Sequence, residues 1–466
     1  TWTGGNIFGT DSSTMTTAGT VAMAGAQGAT RLSQRDWTNL ASGIINLTGI
    51  ASEISLQGAA STTTLFTNDG AINYSGTTAG AWPVAWRSSV TGTTFINNGS
   101  FTKTSSSATL LDVGAFTNAG TLSLSAGSLT EQSNTFTQSG TMNLASGTTF
   151  TRSGGFTNSA TGIISGAGTV SVGGGANLLT NNGIIRPGGA GTAGGLNLTG
   201  SITFGAGAVL EIDLAGTTPL TQHDQFNVTG TTVTLGGNLN VIELAGYKAR
   251  FSDGTYVVLN NTGTVGGSFA AINATVSGGA ATFGAANTGT TAGINLTSGT
   301  TSYIATGASN WNIGGNWDRG TPTANADAII DLGSGPDTIT ISTAESARSL
   351  IVTSPGGGAN INTVAMTGGS LALAQNSSLD ANSVLSMTGG SLGGAGSLTA
   401  NGAVTLGGTN FTGGGSFNTS GTTTLNGSPS FNGAVTWNNS GTVDIGGGDR
   451  ILMYNGAVLN NLAGGI

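Results

Sequence analysis

One pattern constrains this chain more than any other: an apolar residue, then Asn or Gln two positions on, then Gly two positions after that, returning about every twenty residues. Phe116-Thr117-Asn118-Ala119-Gly120-Thr121-Leu122-Ser123-Leu124 is followed by Phe136-Thr137-Gln138-Ser139-Gly140-Thr141-Met142-Asn143-Leu144. Phe156-Thr157-Asn158 comes next, with Ile164 in the place of Leu124 and Leu144. Further copies start at Phe66, Phe95, Leu179 and Trp437, with Phe417 before the last of these and Leu459-Asn460-Asn461 after it. A second glycine keeps phase, Gly127 answering Gly147.

Alternation of period two, with Leu122 and Leu124 in and Thr121 and Ser123 out, marks strands with one buried face. Gly and Asn at fixed offsets are expected to supply corners with φ > 0. Strands joined by one sharp corner pair with the same strand one period later, so the chain winds into a parallel coil. At roughly 3.3 Å per residue, a circuit of ~20 residues measures about 66 Å and climbs about 4.8 Å per turn. The fold expected is all-β, a parallel β-helix (β-solenoid) of about 20-residue coils in tandem modules. Phe116, Phe136 and Phe156 should stack inside it, as should Leu124, Leu144 and Ile164, with Asn118, Gln138 and Asn158 at one corner. A Gly/Ser/Thr linker would not keep apolar residues in phase, and an outer-membrane barrel would show longer alternating strands and aromatic girdles.

Composition agrees. There are 83 Gly in 466 residues, and only 6 % of residues are charged, against norms of roughly 7 % Gly and 25 % charge. Like charges stacked every ~4.8 Å would repel, whereas Thr, Ser and Asn ladders are neutral. The 37 % hydrophobic content separates the chain from disordered sequences. With no Cys and a single His, His223, disulfide scaffolds, thiolate zinc sites and sites needing two imidazoles fall away. A net charge of −8 and two lysines, Lys103 and Lys248, argue against nucleic acid. No run of 18 apolar residues is present, so the chain is not expected to span a membrane by a helix. Residue 1 is Thr with no charged-then-apolar stretch after it, so any export signal is expected to have been removed or to lie elsewhere.

Four segments are expected: a module-opening stretch at 1–40, coils over 41–185, a closing β-rich segment over 186–300, and an incomplete second module over 301–466. Asn310-Trp311-Asn312-Ile313-Gly314-Gly315-Asn316-Trp317 echoes the opening Thr1-Trp2-Thr3-Gly4-Gly5-Asn6 at an offset of 309 residues. The Phe-x-Asn-x-Gly coils resemble the haemagglutinin-like and autotransporter-associated β-strand repeats of bacterial surface proteins. Arg186-Pro187-Gly188-Gly189, Val209-Leu210-Glu211-Ile212-Asp213-Leu214 and Asp224-Gln225-Phe226-Asn227-Val228-Thr229-Gly230 resemble the closing segment of such passenger modules. The resemblance implies a right-handed β-helix that is secreted and acts at the cell surface or outside a bacterium, as an adhesin, a surface layer or a fibre.

Candidates for chemistry are few. His223-Asp224 lacks a third triad member: Gly389-Gly390-Ser391-Leu392-Gly393 matches a nucleophile elbow in sequence only, with the His upstream and no helix expected. Glu211 and Asp213, two apart on a strand, should point the same way and face solvent. As a carboxylate pair they are the candidates for glycosidase work, and with Asp224 for weak cation binding. Gly173-Gly174-Gly175 and Gly356-Gly357-Gly358 read as corners, since no Lys follows them. Trp2, Trp311 and Trp317 read as core plugs rather than sugar platforms. Thr62-Thr63-Thr64 and Thr422-Thr423-Thr424 raise a flat threonine array of the ice-binding kind, but outward offsets that mix Ser, Thr, Asn and Ala do not suit one.

No catalytic, cofactor-binding or metal site is therefore expected, and no enzymatic activity. The expected role is structural, in an extracellular fibre or surface coat. The alternatives are an adhesin stalk with a surface or glycan target and, behind it, a polysaccharide-active β-helix enzyme. The last coil stops at Ile466 without a capping element, so end-to-end self-association or continuation into a longer tandem chain is expected.

Overall fold

Four-residue runs that alternate in burial, such as Thr121–Leu124, lie between glycine-bearing corners, too short for hairpins to hold but well suited to stacking. In the computed structural model they form an all-β chain with 55 % strand and 1 % helix, built as long stacks of parallel strands: a parallel β-solenoid. The structure describes residues 5–8, 14–24, 30–33, 35–49, 54–57, 63–77, 81–86 and 92–466 apart from 174–176, 245, 334 and 356–357, with backbone alone for 5–8, 30–33, 57 and 81–86. Trp2, Thr62, Gly174, Gly175, Gly356 and Gly357 lie outside the described residues.

The chain divides into two units, Thr1–Tyr247 with Thr255–Thr275 and Ala285–Ile294, and Lys248–Gly254 with Val276–Gly284 and Asn295–Ile466. In the first, three walls recur in each coil. One wall runs from Thr14–Thr17 to Thr264–Gly267 and the next from Thr20–Met23 to Ala271–Thr275, each of 11 strands. The third wall is built up to Tyr256–Asn261, on which residues 291–294 pair antiparallel through Tyr256 with Ile294. The ladders continue through residues 186–275, with Ile185 beside Leu210, Leu210 beside Leu239 and Leu239 beside Ile272. The second unit repeats the plan: Phe417 pairs with Trp437 and Trp437 with Leu459, in the phase read from the sequence.

Phe66, Phe95, Phe116 and Phe136 stack at centroid separations of 5.1, 5.0 and 5.4 Å, and Phe156 meets Phe136 edge-on at 5.3 Å. The first four therefore form an aromatic column, whose offset stacking adds to simple area burial. Beside it runs an amide column at the expected corner. Asn39, Asn68, Asn97 and Asn118 each donate from Nδ2 to the side-chain oxygen of the next, Gln138 being last, over 2.7–2.9 Å. Successive steps of this column span 29, 29, 21 and 20 residues, so coils vary in length while the corner keeps its register.

Two expectations need correction. Ile164 pairs with Met142, not Leu144, whose partner is Gly166. The cause is corner size: Asn118 reaches Gly120 in two residues, whereas Asn158 reaches its corner glycine, Gly162, in four and closes a bond from Nδ2 to the Gly162 carbonyl at 3.1 Å. Asn39 with Gly43 and Asn461 with Gly465 make the same longer corner, at 3.2 and 3.1 Å. The second correction concerns glycine. Gly120 is absent from the positive-φ residues, while Gly127 and Gly147 have φ of 67° and 77°. At Gly120 the constraint is stacking: a Cβ there would sit 2.1 Å from the carbonyl oxygen of Gly99 in the previous coil.

Candidate functional site

The strand Val209–Leu214 places Leu210, Ile212 and Leu214 inward, so Glu211 and Asp213 share the outer face as the alternation requires. Only Glu211 remains near solvent. Its carboxylate takes a two-pronged contact from Arg186, Nη2 to Oε2 at 3.1 Å and Nε to Oε1. Asp213, expected to face solvent, is 1 % exposed. The 188–194 loop, opened by the turn after Pro187, covers it, and the Thr192 amide donates to Oδ2 at 2.9 Å. Asp213 Oδ1 is buried with no hydrogen-bond partner among the described residues.

Asp224, fully buried, fills the ladder position that the chain vacates as it leaves at Gly188. Its Oδ2 accepts the Asp213 amide at 2.9 Å and its Oδ1 the Gly194 amide at 2.7 Å, while its own amide donates to the Asp213 carbonyl at 3.0 Å. One carboxyl thus stands in for a missing strand. Burial pushes the Asp224 carboxyl up to about 8, against the two amides that favour its ionised form, and the Asp213 charge pushes the same way as burial. Asp213 is raised as well, again chiefly by burial. His223, beside it in the chain, is 1 % exposed, with Nδ1 3.3 Å from the Gly216 carbonyl and its ring edge-on to Tyr256 at 5.6 Å. Burial lowers its pKa, which favours a neutral imidazole.

The structure therefore brings Glu211, Asp213 and Asp224 together, but each carboxyl already serves the chain's own backbone or Arg186. Among the described residues no group of three or more His, Cys, Asp and Glu is placed to hold a metal ion. Ser391 lies on the strand Ser391–Gly393 rather than on a strand–turn–helix elbow. Trp311 and Trp317 are fully buried, 4.8 Å apart, with Trp317 Nε1 donating to the Trp311 carbonyl at 2.8 Å. They plug the core of the second unit and offer no platform to a sugar.

Sequence reasoning missed three buried ionic features. Lys103 occupies an inward position between Tyr74 and Leu124, is fully buried, and donates to the Ala126 carbonyl at 2.9 Å and to that of Ser105. Glu131, 2 % exposed, accepts the Ser133 amide at 2.7 Å and pairs with Arg152, whose guanidinium lies 5.7 Å from the centre of the Phe136 ring. In the second unit, Arg319 is fully buried and donates to the carbonyls of Ala249 and Gly278, both at 3.2 Å. None sits in a periodic position of the right chemistry, so the repeat gives no signal for them.

The outer faces are mostly uncharged columns. One is more uniform than the sequence offsets suggest: Thr117 pairs with Thr137, and Thr157 with Thr180, Thr203 and Thr234 in turn. The adjacent column, however, carries Asp36, Leu65, Ala115 and Leu178, so no two-rank hydroxyl lattice forms. A shallow open groove runs along Ser123, Asn143, Ser165 and Arg186. The interior gap among Leu373, Leu392, Phe411 and Phe417 measures about 20 Å³, room for one water. No helix among the described residues is long and apolar enough to cross a membrane. No family model, curated protein or solved structure matches the chain.

Proposed function

We propose that this chain is a structural building block of an extracellular bacterial fibre or surface coat, joined end to end or in tandem and without enzymatic activity. The observation that carries this reading is the amide column from Asn39 to Gln138, flanked by outer columns that carry few charges. It ties each coil to the next by hydrogen bonds that salt does not screen, and it presents no convergent acid and base. The buried carboxyls Glu131, Asp213 and Asp224 support the reading too, because each holds backbone rather than facing a cleft. Recurrence of the Trp-bearing opening at Trp311 supports assembly from repeated modules.

A second reading, an exported adhesin stalk, is favoured by the open groove in which Ser123, Asn143, Ser165 and Arg186 alternate with apolar side chains such as Leu124 and Leu144, where an extended partner would lie along the coils. Negative-stain microscopy of the purified protein separates the two: long uniform filaments support the fibre, isolated rods the stalk. A carbohydrate-hydrolysis activity that disappears in Glu211→Gln or Asp213→Asn would overturn the non-enzymatic part.

A further inference from the structure

On the third wall of the first unit, backbone ladders hold five strands in register from Ser128–Glu131 to Gln225–Thr229. Their outward positions fall into two ranks. Ser128, Thr149, Thr169, Asn197 and Asn227 stand one above another in the first. Thr130, Thr151, Ser171, Thr199 and Thr229 do so in the second, two residues further along the same strands. Ten positions over five coils thus carry eight hydroxyls, two amides and no charge. The mixture of Ser, Thr, Asn and Ala expected at outward offsets therefore does not extend to this wall, and the second rank that the wall of Thr117 lacks is present here.

Leu129, Phe150, Val170, Leu198 and Val228, between the ranks, are buried, which fixes both ranks outward. The strands are three to five residues long, so the twist between neighbours displaces their ends little. Among the described residues, none of the eight side-chain hydroxyls bonds to another protein group. Of the two amides, Asn197 reaches back from Nδ2 to the Gly168 carbonyl at 3.5 Å. The charges next in the chain to the second rank, Glu131 and Arg152, neutralise each other. Six of the eight hydroxyls belong to Thr, whose stiff χ1 sets a methyl beside each in a repeated orientation.

We propose that this two-rank hydroxyl wall binds the surface of an ice crystal. Steps along the stack measure ~4.8 Å and the ranks lie ~6.7 Å apart. Both fall within roughly a tenth of the two oxygen repeats on the prism face of hexagonal ice. Over four steps the mismatch along the stack adds to about 1 Å, within the swing of a side-chain hydroxyl. Charge complementarity points the same way. Ice offers donors and acceptors without charge, and each Ser or Thr hydroxyl offers both in return. A single extended chain would need only one rank, whereas a second rank at a fixed separation suits a two-dimensional lattice. This role goes beyond that of a building block and does not rest on it.

Two measurements on the whole chain test this. In a nanolitre osmometer the protein should facet a growing ice crystal and hold its freezing point below its melting point. Fluorescently labelled protein should coat the prism planes of a single ice crystal. Thr151→Lys, which plants a cation in the middle of the array, should abolish both effects. Thr137→Lys, on the wall of Thr117, should change neither. Circular dichroism melts establish that each variant keeps its coils, and Thr130→Lys takes the place of Thr151→Lys if that protein does not fold. Crystals that stay rounded, labelled protein excluded from the ice, or faceting that survives both lattice substitutions would overturn the proposal. So would retention on insoluble cellulose or chitin, removed by Thr151→Lys, in a protein without effect on ice, since a glycan would then be the occupant. Filaments that leave ice unchanged would sink this inference and leave the fibre reading standing.

Discussion

Asn97 donates from one side-chain nitrogen to two acceptors, Asn118 Oδ1 at 2.8 Å and the Thr121 carbonyl at 3.1 Å. Asn118 repeats the gesture one coil later, to Gln138 Oε1 at 2.9 Å and the Thr141 carbonyl at 3.2 Å. Each amide thus links its own coil to both neighbours. Asn118→Ala should leave the Asn97 amide with a lost acceptor and the Thr141 carbonyl with a lost donor, in a fully buried corner. The expected cost is about 2–3 kcal/mol, read from urea denaturation with an unchanged slope.

Phe136 bridges Phe116 and Phe156 and is half-buried, with the Arg152 guanidinium against its ring. Phe136→Ala should cost about 3 kcal/mol, the low end for a core aromatic because part of the ring already meets solvent. The loss should be local, since a solenoid's coils depend chiefly on their neighbours. Hydrogen exchange should quicken in the coils holding residues 115–165 and stay unchanged in the strand Asn238–Glu243.

The Phe and Asn columns were legible because their spacing is nearly constant between Phe95 and Gln138. Ile164 was misplaced because a corner two residues longer still looks like the same template. Asp224 stood out in the sequence as an acidic residue, but its role did not: its carboxyl replaces a strand, and period-two alternation has no signature for that. Arg319 gathers carbonyls 70 and 41 residues away, contacts set by non-local packing that no local pattern encodes.

Arg152 is the cation paired with the buried Glu131. Arg152→Ala should strand that carboxylate and cost about 3–5 kcal/mol at neutral pH. Burial already raises the Glu131 carboxyl, so the deficit should shrink as pH falls and a proton replaces the guanidinium. Glu131→Gln added to Arg152→Ala should recover most of the neutral-pH loss, measured by thermal melts at pH 4.5 and 7.5.

Lys103 runs the other way. Burial lowers its amine to about 8, so the folded chain resists its protonation. Its contribution to stability is therefore smallest below about 8 and grows as pH rises towards the unfolded value, by about 2–3 kcal/mol. Lys103→Met should remove that rise. The comparison is urea denaturation of both proteins at pH 7.5 and 10, and parallel curves would refute it.

The two sizes of asparagine corner carry a lesson about how such a chain can change length. Asn118 is four residues from the next inward side chain, Leu122, and Asn158 is six from Ile164. A step of two leaves every later side chain facing the way it did, whereas a step of one would turn the Thr and Ser of the following strand into the core and its Leu and Ile out to water. Heredity at this bend is thus subject to a parity rule: the gene can gain or lose codons there in pairs, and a lone codon would turn the following strand inside out.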